Sequence, residues 1–286
     1  MRRLVFTIDS SKTSLRALPL AAAVARTFEA EMDLVHLLLP GSQMLVVPEY
    51  PVDNTYFAET GAKTLLEALR QRPELKSVKL GSAAVVMGLS DFRGKVAPRD
   101  IDLIVSGASV DGRFHTRLCG CGIEEIIHGS TCSVLAVGPR ASIRDDAQFR
   151  PKHLLFVAFS AADYSYALSF ANVPQYDVRF LNADYRHSGA VKAHSVAAFA
   201  HDILATISFG RIKNSKFDLL LRSWQTVHDV IYAAHERPTE LIVMCRRDHL
   251  TQSALNKRIC RRIIAEAPCP VLVVNSEQCP LLNTNS

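Results

Sequence analysis

Short apolar segments alternate with amphipathic segments along the whole chain, and this alternation restricts the fold more than any other feature. Five apolar runs occur in the first half: RRLVFTI, MDLVHLLL, SAAVVMG, IDLIVSG and CSVLAVG. Such continuous runs predict strands that are covered on both faces. Between them, SLRALPLAAAVARTF and TYFAETGAKTLLEALRQ have the spacing of amphipathic helices. Strands that alternate with helices pair in parallel through right-handed crossovers.

The same order of segments occurs again in the second half. The corresponding strands are HLLFVAF, VRFLNAD, KFDLLLRSW, TELIVMC and CPVLVVN. Helical stretches are expected near Tyr164, Ala197, Val227 and Arg258. A polar, proline-bounded segment, PRASIRDDAQFRPK, lies between the halves and has the composition of a linker. The 286-residue chain is therefore predicted to be an internal duplication, with α/β domains at 1–140 and 151–276 and a tail at 277–286.

Charge and hydropathy exclude several classes of function. A net charge of +5 is low for a protein dedicated to duplex nucleic acid. No apolar run approaches the roughly twenty residues of a membrane-spanning helix, and Asp9 interrupts the N-terminal run too early for a signal sequence. The 7 cysteines, several of them in apolar runs, are typical of reduced thiols. We therefore expect a cytoplasmic protein with no membrane span and no nucleic-acid partner.

Three segments resemble the universal stress protein family: LVFTIDSSKTSLRAL, DLIVSGAS and, most specifically, IIAEAPCPVLVV. Together with the duplication, they indicate a tandem, two-repeat form. The resemblance implies two Rossmann-like α/β domains, each a five-stranded parallel sheet of order 3-2-1-4-5 flanked by helices. In such sheets, ligands bind beyond the carboxyl ends of the strands, at the point where the strand order reverses.

The resemblance also implies a phosphate loop after the fourth strand of the first repeat. In nucleotide-binding members, spaced glycines and the following helix N-terminus offer backbone N–H groups to the phosphates. Gly107 and Gly120 occupy the first and third glycine positions. Val110 stands at the second glycine and Cys121 at a hydroxyl position, and both depart from the family pattern. A β-branched side chain resists positive φ and approaches the phosphate position, although Gly112 could restore the turn in another register.

The base side of this implied site matches the family better. Asp9 corresponds to the aspartate that meets adenine and ribose, and the backbone at Leu38 and Leu39 corresponds to the adenine edge. An alternative interpretation makes Asp9 a capping partner of the next helix. The second repeat has replaced the matching positions with Phe159, Cys245, Asp248 and Lys257. The resemblance thus implies ATP or another adenine nucleotide in the first repeat only, with no metal beyond nucleotide-associated Mg²⁺.

Other chemistries are open to the segment SGASVDGRFHTRLCGCGIEE. Cys119 and Cys121 could hold a metal or form a redox pair, but they supply only two soft ligands, so a tight loop of small residues is favoured. Arg113, His115 and Arg117 form either a solvated loop face or an anion contact. The sequence offers no recognisable nucleophile with a base and no paired carboxylates, so we expect a protein that is not an enzyme.

A basic cluster between Arg246 and Arg262 surrounds the degenerate loop of the second repeat. It is either a solvated helix face or a surface for an anion or a partner protein. A nucleic-acid surface is a weaker third hypothesis, because the cluster lacks the aromatic residues of a single-strand binder. The leading hypothesis is a stress-response or regulatory protein. The alternative is an interaction scaffold that binds no nucleotide and has both crevices closed. A protein partner is expected in either case.

The last strand of each repeat, CSVLAVG and CPVLVVN, is apolar and uncharged. Because an unpaired apolar edge strand promotes association, we predict that these two strands pair antiparallel within one chain. The tandem chain would then imitate a dimer, since the linker from Pro139 to Lys152 can span about 40 Å when extended. A homodimer of whole chains is compatible with this pairing but is not required by it.

Overall fold

The computed structural model divides into two compact units, residues 1–150 and residues 151–286. The structure describes residues 1–9, 11–38, 55–96, 100–108, 122–143, 147–159, 163, 166, 169–170, 173, 175–182, 217–220, 227–246, 253–274 and 281. The domain limits at residues 140, 151 and 276 stay predictions, as does the pairing of the two last strands.

The described part of the first unit contains a five-stranded parallel sheet. Its strands are β1 (Arg3–Ile8), β2 (Glu31–Leu38), β3 (Leu80–Met87), β4 (Leu103–Gly107) and β5 (Ser133–Val137). Its helices are α1 (Lys12–Arg16), α2 (Leu18–Thr27), α3 (Thr55–Arg70), α4 (Gly88–Lys95) and α5 (Gly122–Gly129). β1 pairs with β2 and β4, β2 with β3, and β4 with β5. The strands therefore lie in the order 3-2-1-4-5, which reverses between β1 and β4.

The described part of the second unit repeats this pairing. Its strands are β6 (His153–Ala158), β7 (Asp177–Asn182), β8 (Phe217–Leu220), β9 (Leu241–Cys245) and β10 (Val271–Val274). Its helices are α6 (Val227–Glu236) and α7 (Ser253–Glu266). β6 pairs with β7 and β9, β7 with β8, and β9 with β10, all in parallel. The predicted fold class is thus confirmed. Of the predicted helical stretches, the one near Ala197 and most of the one near Tyr164 lie outside the described residues.

Burial of the strands follows the continuous apolar runs. Every residue of β4, β5 and β9 is buried. Helix α2 packs on β1 and buries two leucines and a row of small side chains, namely Leu18, Leu20, Ala21, Ala22, Ala23, Val24 and Ala25. Because these strands are covered on both faces, the sheet fixes the positions of the polar residues at the strand ends.

A carboxylate just before the fourth strand of each unit fixes the start of the first strand. Asp102 Oδ2 accepts hydrogen bonds from the backbone N–H groups of residues 2 and 3, at 2.6 and 2.9 Å. Glu240 Oε2 accepts from the backbone N–H groups of residues 152 and 153, at 2.5 and 3.3 Å. The duplication predicted from the sequence is therefore visible in equivalent hydrogen bonds as well as in strand order.

A buried carboxylate joins the amino ends of β1, β2 and β3. Asp33 is 1% exposed, and its Oδ2 accepts from Arg3 Nε and pairs with Arg3 Nη2, each at 2.7 Å. Its Oδ1 accepts from the backbone N–H and the hydroxyl of Ser82, at 2.6 and 2.8 Å. A Cβ at Gly81 would lie 2.4 Å from Asp33 Oδ1, so only glycine leaves room for the carboxylate here.

Burial by itself would raise the pKa of Asp33. The hydrogen bonds from Arg3 and Ser82 outweigh that effect, and the pKa lies below its ordinary value of 3.8. A carboxyl with a lowered pKa in the folded state stabilises that state above its unfolded pKa. This contribution is lost as the pH falls through the folded pKa.

We expect Asp33→Asn to lower the free energy of unfolding by about 2–4 kcal/mol at pH 7, because Arg3 loses its buried ionic partner. The wild type should lose this advantage as the pH falls below about 4. Urea unfolding followed by circular dichroism from pH 7 to 3 measures both effects. Glu59→Gln is the control, since the Glu59–Lys63 pair is exposed and should change stability by less than about 0.5 kcal/mol. Equal stability of Asp33→Asn and wild type at pH 7 would contradict this account.

The segment after β5, which the sequence analysis treats as an extended linker, packs against the first unit in its described residues. Arg16 donates hydrogen bonds to the carbonyl oxygens of Pro139 and Ala141, at 3.0 and 3.2 Å. The Phe149 N–H donates to Thr27 Oγ1 at 2.7 Å, and Ala141 and Phe149 are buried. Donors and acceptors on α1 and α2 thus hold a segment whose local composition indicates only a flexible chain.

Candidate functional site

Three of the predicted site residues lie at the carboxyl ends of neighbouring strands. Asp9 directly follows β1, Leu38 ends β2, and Gly107 ends β4. β1 lies between the other two strands, so these residues surround the point where the strand order reverses. The remaining predicted site residues lie outside the described residues: Leu39, Val110, Gly112, Gly120 and Cys121.

Asp9 forms a turn that starts helix α1. Its Oδ1 accepts a hydrogen bond from the Ser11 N–H at 3.0 Å, and its own N–H donates to Ser14 Oγ at 3.4 Å. Ser11 caps α1 by accepting from the Ser14 N–H at 3.0 Å. Among the described residues, Asp9 Oδ2 accepts no hydrogen bond, and Asp9 is partly exposed. Asp9 therefore supports the helix start with one oxygen and presents the other.

Gly107 brings the end of β4 into contact with the backbone of α1. A Cβ at this position would lie 2.4 Å from Ser14 Cα and 2.6 Å from the Thr13 carbonyl oxygen. Both are backbone atoms of a buried helix start, so they cannot move aside as a flexible side chain could. Packing against α1 thus explains why position 107 requires glycine, independently of any contact with a phosphate.

We expect Gly107→Ala to lower the free energy of unfolding by about 1–3 kcal/mol, because its methyl group overlaps the α1 backbone. Gly61→Ala is the matched control. A Cβ at Gly61 meets nothing within 4 Å, and alanine inside a helix should add about 0.5–1 kcal/mol of stability. Chemical denaturation of both variants measures the difference, and a Gly107→Ala protein as stable as wild type would rule out the packing explanation.

The opposite face of the sheet carries two hydroxyl side chains at the same strand ends. Thr7 on β1 is in register with Ser106 on β4 and with Val35 on β2. Thr7 is 2% exposed and Ser106 is 4% exposed. Thr7 Oγ1 has no hydrogen-bond partner among the described residues. The sequence analysis did not select either residue, because each is a single hydroxyl in an apolar run.

His36 is a buried histidine on β2 that the sequence analysis also did not select. It lies in register with Ile8, the residue before Asp9, and is 2% exposed. Burial lowers the pKa of His36 below its ordinary value of 6.5, and the negative charge of Asp9 opposes part of that shift. A lone histidine in the run MDLVHLLL is the signal that could have indicated it.

Because the folded pKa of His36 is lowered, the unfolded chain binds its proton more readily. We therefore expect the free energy of unfolding to fall as the pH drops below about 6.5. His36→Gln should remove this part of the pH dependence, whereas His235→Gln, at an exposed position on α6, should retain it. Urea unfolding from pH 8 to 5 is the measurement. Parallel curves for wild type and His36→Gln would contradict the assignment.

The equivalent edge of the second unit is built differently. Phe159 follows β6 where Asp9 follows β1, and Cys245 ends β9 where Gly107 ends β4. Phe159 is 9% exposed, and its N–H donates to Asp163 Oδ2 at 2.7 Å. An aromatic ring and a thiol therefore occupy the positions at which the first unit has a carboxylate and a glycine.

The described cysteines form no disulfide bond with one another. Cys132, Cys245 and Cys269 are buried, and burial raises the pKa of Cys269 to about 12. In the described residues, no group of three or more His, Cys, Asp or Glu side chains is placed to hold a metal ion. The metal and redox interpretations of Cys119 and Cys121 concern residues outside the described ones.

A doubly wound parallel α/β sheet, with polar residues where its strand order reverses, defines the architectural class. The model of the Universal stress protein family matches residues 1–138. The match lies within the first unit and supports the resemblance there, and the second unit repeats the strand pairing of the first. No curated protein is significantly similar to the chain.

Solved structures with this fold cover nearly the whole chain. A universal stress protein from Archaeoglobus fulgidus DSM 4304 is 15% identical, with 96% of each chain covered and a TM-score of 0.66. A putative universal stress protein from Pseudomonas aeruginosa UCBPP-PA14 is 11% identical, covers 96% of this chain and 93% of its own, and has a TM-score of 0.55. A universal stress protein in complex with cAMP is 20% identical, covers 48% of this chain and 95% of its own, and has a TM-score of 0.32.

Among the described residues, no helix is both long and apolar enough to span a membrane.

Proposed function

We propose that this chain is a cytoplasmic stress-response or regulatory protein that binds one adenine nucleotide, ATP or another, in its first unit only. The observation that carries the proposal is the difference between equivalent edges. The first unit presents Asp9 Oδ2 beside a hydroxyl-bearing strand end, whereas the second unit has Phe159 at the matching position. Ligands of doubly wound sheets bind at this edge.

The described residues suit the nucleoside half of such a ligand. A carboxylate oxygen accepts hydrogen bonds from ribose hydroxyls or from an adenine amino group. The backbone at the end of β2, beside Leu38, offers further polar groups to a flat base. Residues proposed for the phosphates, Gly120 among them, lie outside the described ones, and any Mg²⁺ would arrive with the phosphates.

We propose binding without catalysis at this edge. Asp9 is already engaged in the turn before α1, and His36 is 2% exposed with a pKa lowered by burial. A general acid or base must contact the group with which it exchanges a proton. A histidine this deeply buried has little contact of that kind. The output of the protein would then be a change in its interaction with a partner protein.

The alternative function is an interaction scaffold that binds no nucleotide. The burial of Thr7 and Ser106, and the contact of Gly107 with α1, favour it, because they leave little open space at the strand ends. Both functions predict the same fold, so a direct binding measurement on the whole chain has to separate them.

Isothermal titration of the full chain with ATP, ADP and AMP tests the proposal. We expect about one nucleotide per chain, and about tenfold weaker binding for Asp9→Asn, because asparagine lacks the second carboxylate oxygen. Asp9→Asn keeps the Oδ1 acceptor for the Ser11 N–H, so its helix start should remain intact. Asp9→Ala removes both oxygens and should bind at least as weakly.

Asp100→Ala, at an exposed acidic position before the amino end of β4, is the control and should bind like wild type. A stoichiometry of two would contradict restriction to the first unit. Absence of binding to any of the three nucleotides would reject the proposal in favour of the scaffold. Equal affinity of Asp9→Asn and wild type would remove Asp9 from the site.

A further inference from the structure

Thr7 has a buried hydroxyl without a hydrogen-bond partner among the described residues. The side chain lies on the central strand of the first sheet and is 2% exposed. Folded proteins pair nearly all of their buried polar groups, so an unpaired hydroxyl needs a physical explanation. Valine has almost the same shape and would fill the same space without this group.

The contact at Gly107 shows which face of the sheet Thr7 occupies. The Cβ direction of Gly107 leads into the backbone of Ser14, so Gly107 faces α1. Successive residues of a strand point to opposite faces, which places Ser106 on the face away from α1. Thr7 is in register with Ser106 and therefore shares that face. Two hydroxyls thus lie side by side just below the point of strand reversal.

The groups around Thr7 favour a neutral ligand group. In register with it are Ser106, which is uncharged, and Val35, which is apolar. Asp9, which carries a carboxylate, follows Thr7 two residues later in the chain. A carboxylate so near in the chain disfavours a phosphate, whereas a sugar hydroxyl or a base nitrogen has no net charge to repel.

We propose that Thr7 is a ligand-contacting residue of the nucleotide site, and that its hydroxyl hydrogen-bonds to the nucleoside half of the ligand. This inference rests on the nucleotide binding proposed above and adds a contact to it. The hydroxyl is unpaired without ligand and paired in the complex. Because Thr7 is 2% exposed, the ligand reaches it by displacing the groups that cover it.

Two variants of the full-length chain separate the hydroxyl from the shape of the side chain. Thr7→Val keeps the shape and removes the hydroxyl, whereas Thr7→Ser keeps the hydroxyl and removes a methyl group. We expect Thr7→Val to bind AMP, ADP and ATP about five- to tenfold more weakly, by the same factor for all three. Thr7→Ser should stay within about twofold of wild type. Isothermal titration supplies the affinities.

Thermal unfolding without ligand supplies a second readout. Thr7→Val should melt no lower than wild type, because valine removes an unpaired buried polar group. A weaker-binding variant with an unchanged or higher melting temperature therefore supports a ligand contact.

Four outcomes overturn the inference. If wild type and Thr7→Val bind equally well, nucleotide binding stands and only the assignment of Thr7 fails. A loss of affinity that grows from AMP to ATP, or an equal loss in Thr7→Val and Thr7→Ser, excludes a nucleoside contact through the hydroxyl. If wild type binds none of the three nucleotides, the proposed function and the assignment fail together.

Discussion

The backbone of β4 touches the backbone of α1 at Gly107, and the arrangement of the candidate site depends on this contact. It closes the α1 face of the sheet at the strand ends, because no side chain fits between Gly107 and Ser14. The same contact requires α1 to start immediately after β1, which the Asp9 turn and the Ser11 cap provide. Between Gly107 and Ser14, backbone therefore fills the α1 face of the sheet.

Comparison of the two units within one chain separates what the fold requires from what the site requires. Both units retain the carboxylate that fixes the first strand, Asp102 in one and Glu240 in the other. Both also join the residue after the fourth strand to the end of the fifth by a backbone hydrogen bond of 2.8 Å. The units diverge where Asp9 is matched by Phe159. The framework is thus common to both units, which differ at the carboxyl edge of the sheet.

The sequence predicted the parts of this structure that depend on local patterns. Continuous apolar runs indicated the buried strands, and the duplication followed from their repeated order. The pair of Arg3 with Asp33 could not be predicted in this way, because its residues lie on different strands and meet only in the sheet. In the sequence, Asp33 is therefore only one polar residue in the apolar run MDLVHLLL. The packing of the segment near Phe149 depends on donors and acceptors of α1 and α2, whereas its composition indicates a linker.

Site prediction was limited by a different physical cause. Gly107 was selected for an implied phosphate contact, but its need for glycine follows from the helix backbone beside it, which the sequence does not display. Thr7 and His36 were not selected, since a buried polar residue is recognised only when its burial and its register are known.

Buried polar groups near the strand ends also link stability to binding in the first unit. A polar group that lacks a partner in the free protein makes the free state less stable, and a ligand that supplies the partner recovers this free energy on binding. Thr7 would contribute to affinity in this way without being exposed in the free chain. The second unit has Phe159 at its matching edge, so we expect this link between stability and binding in the first unit only.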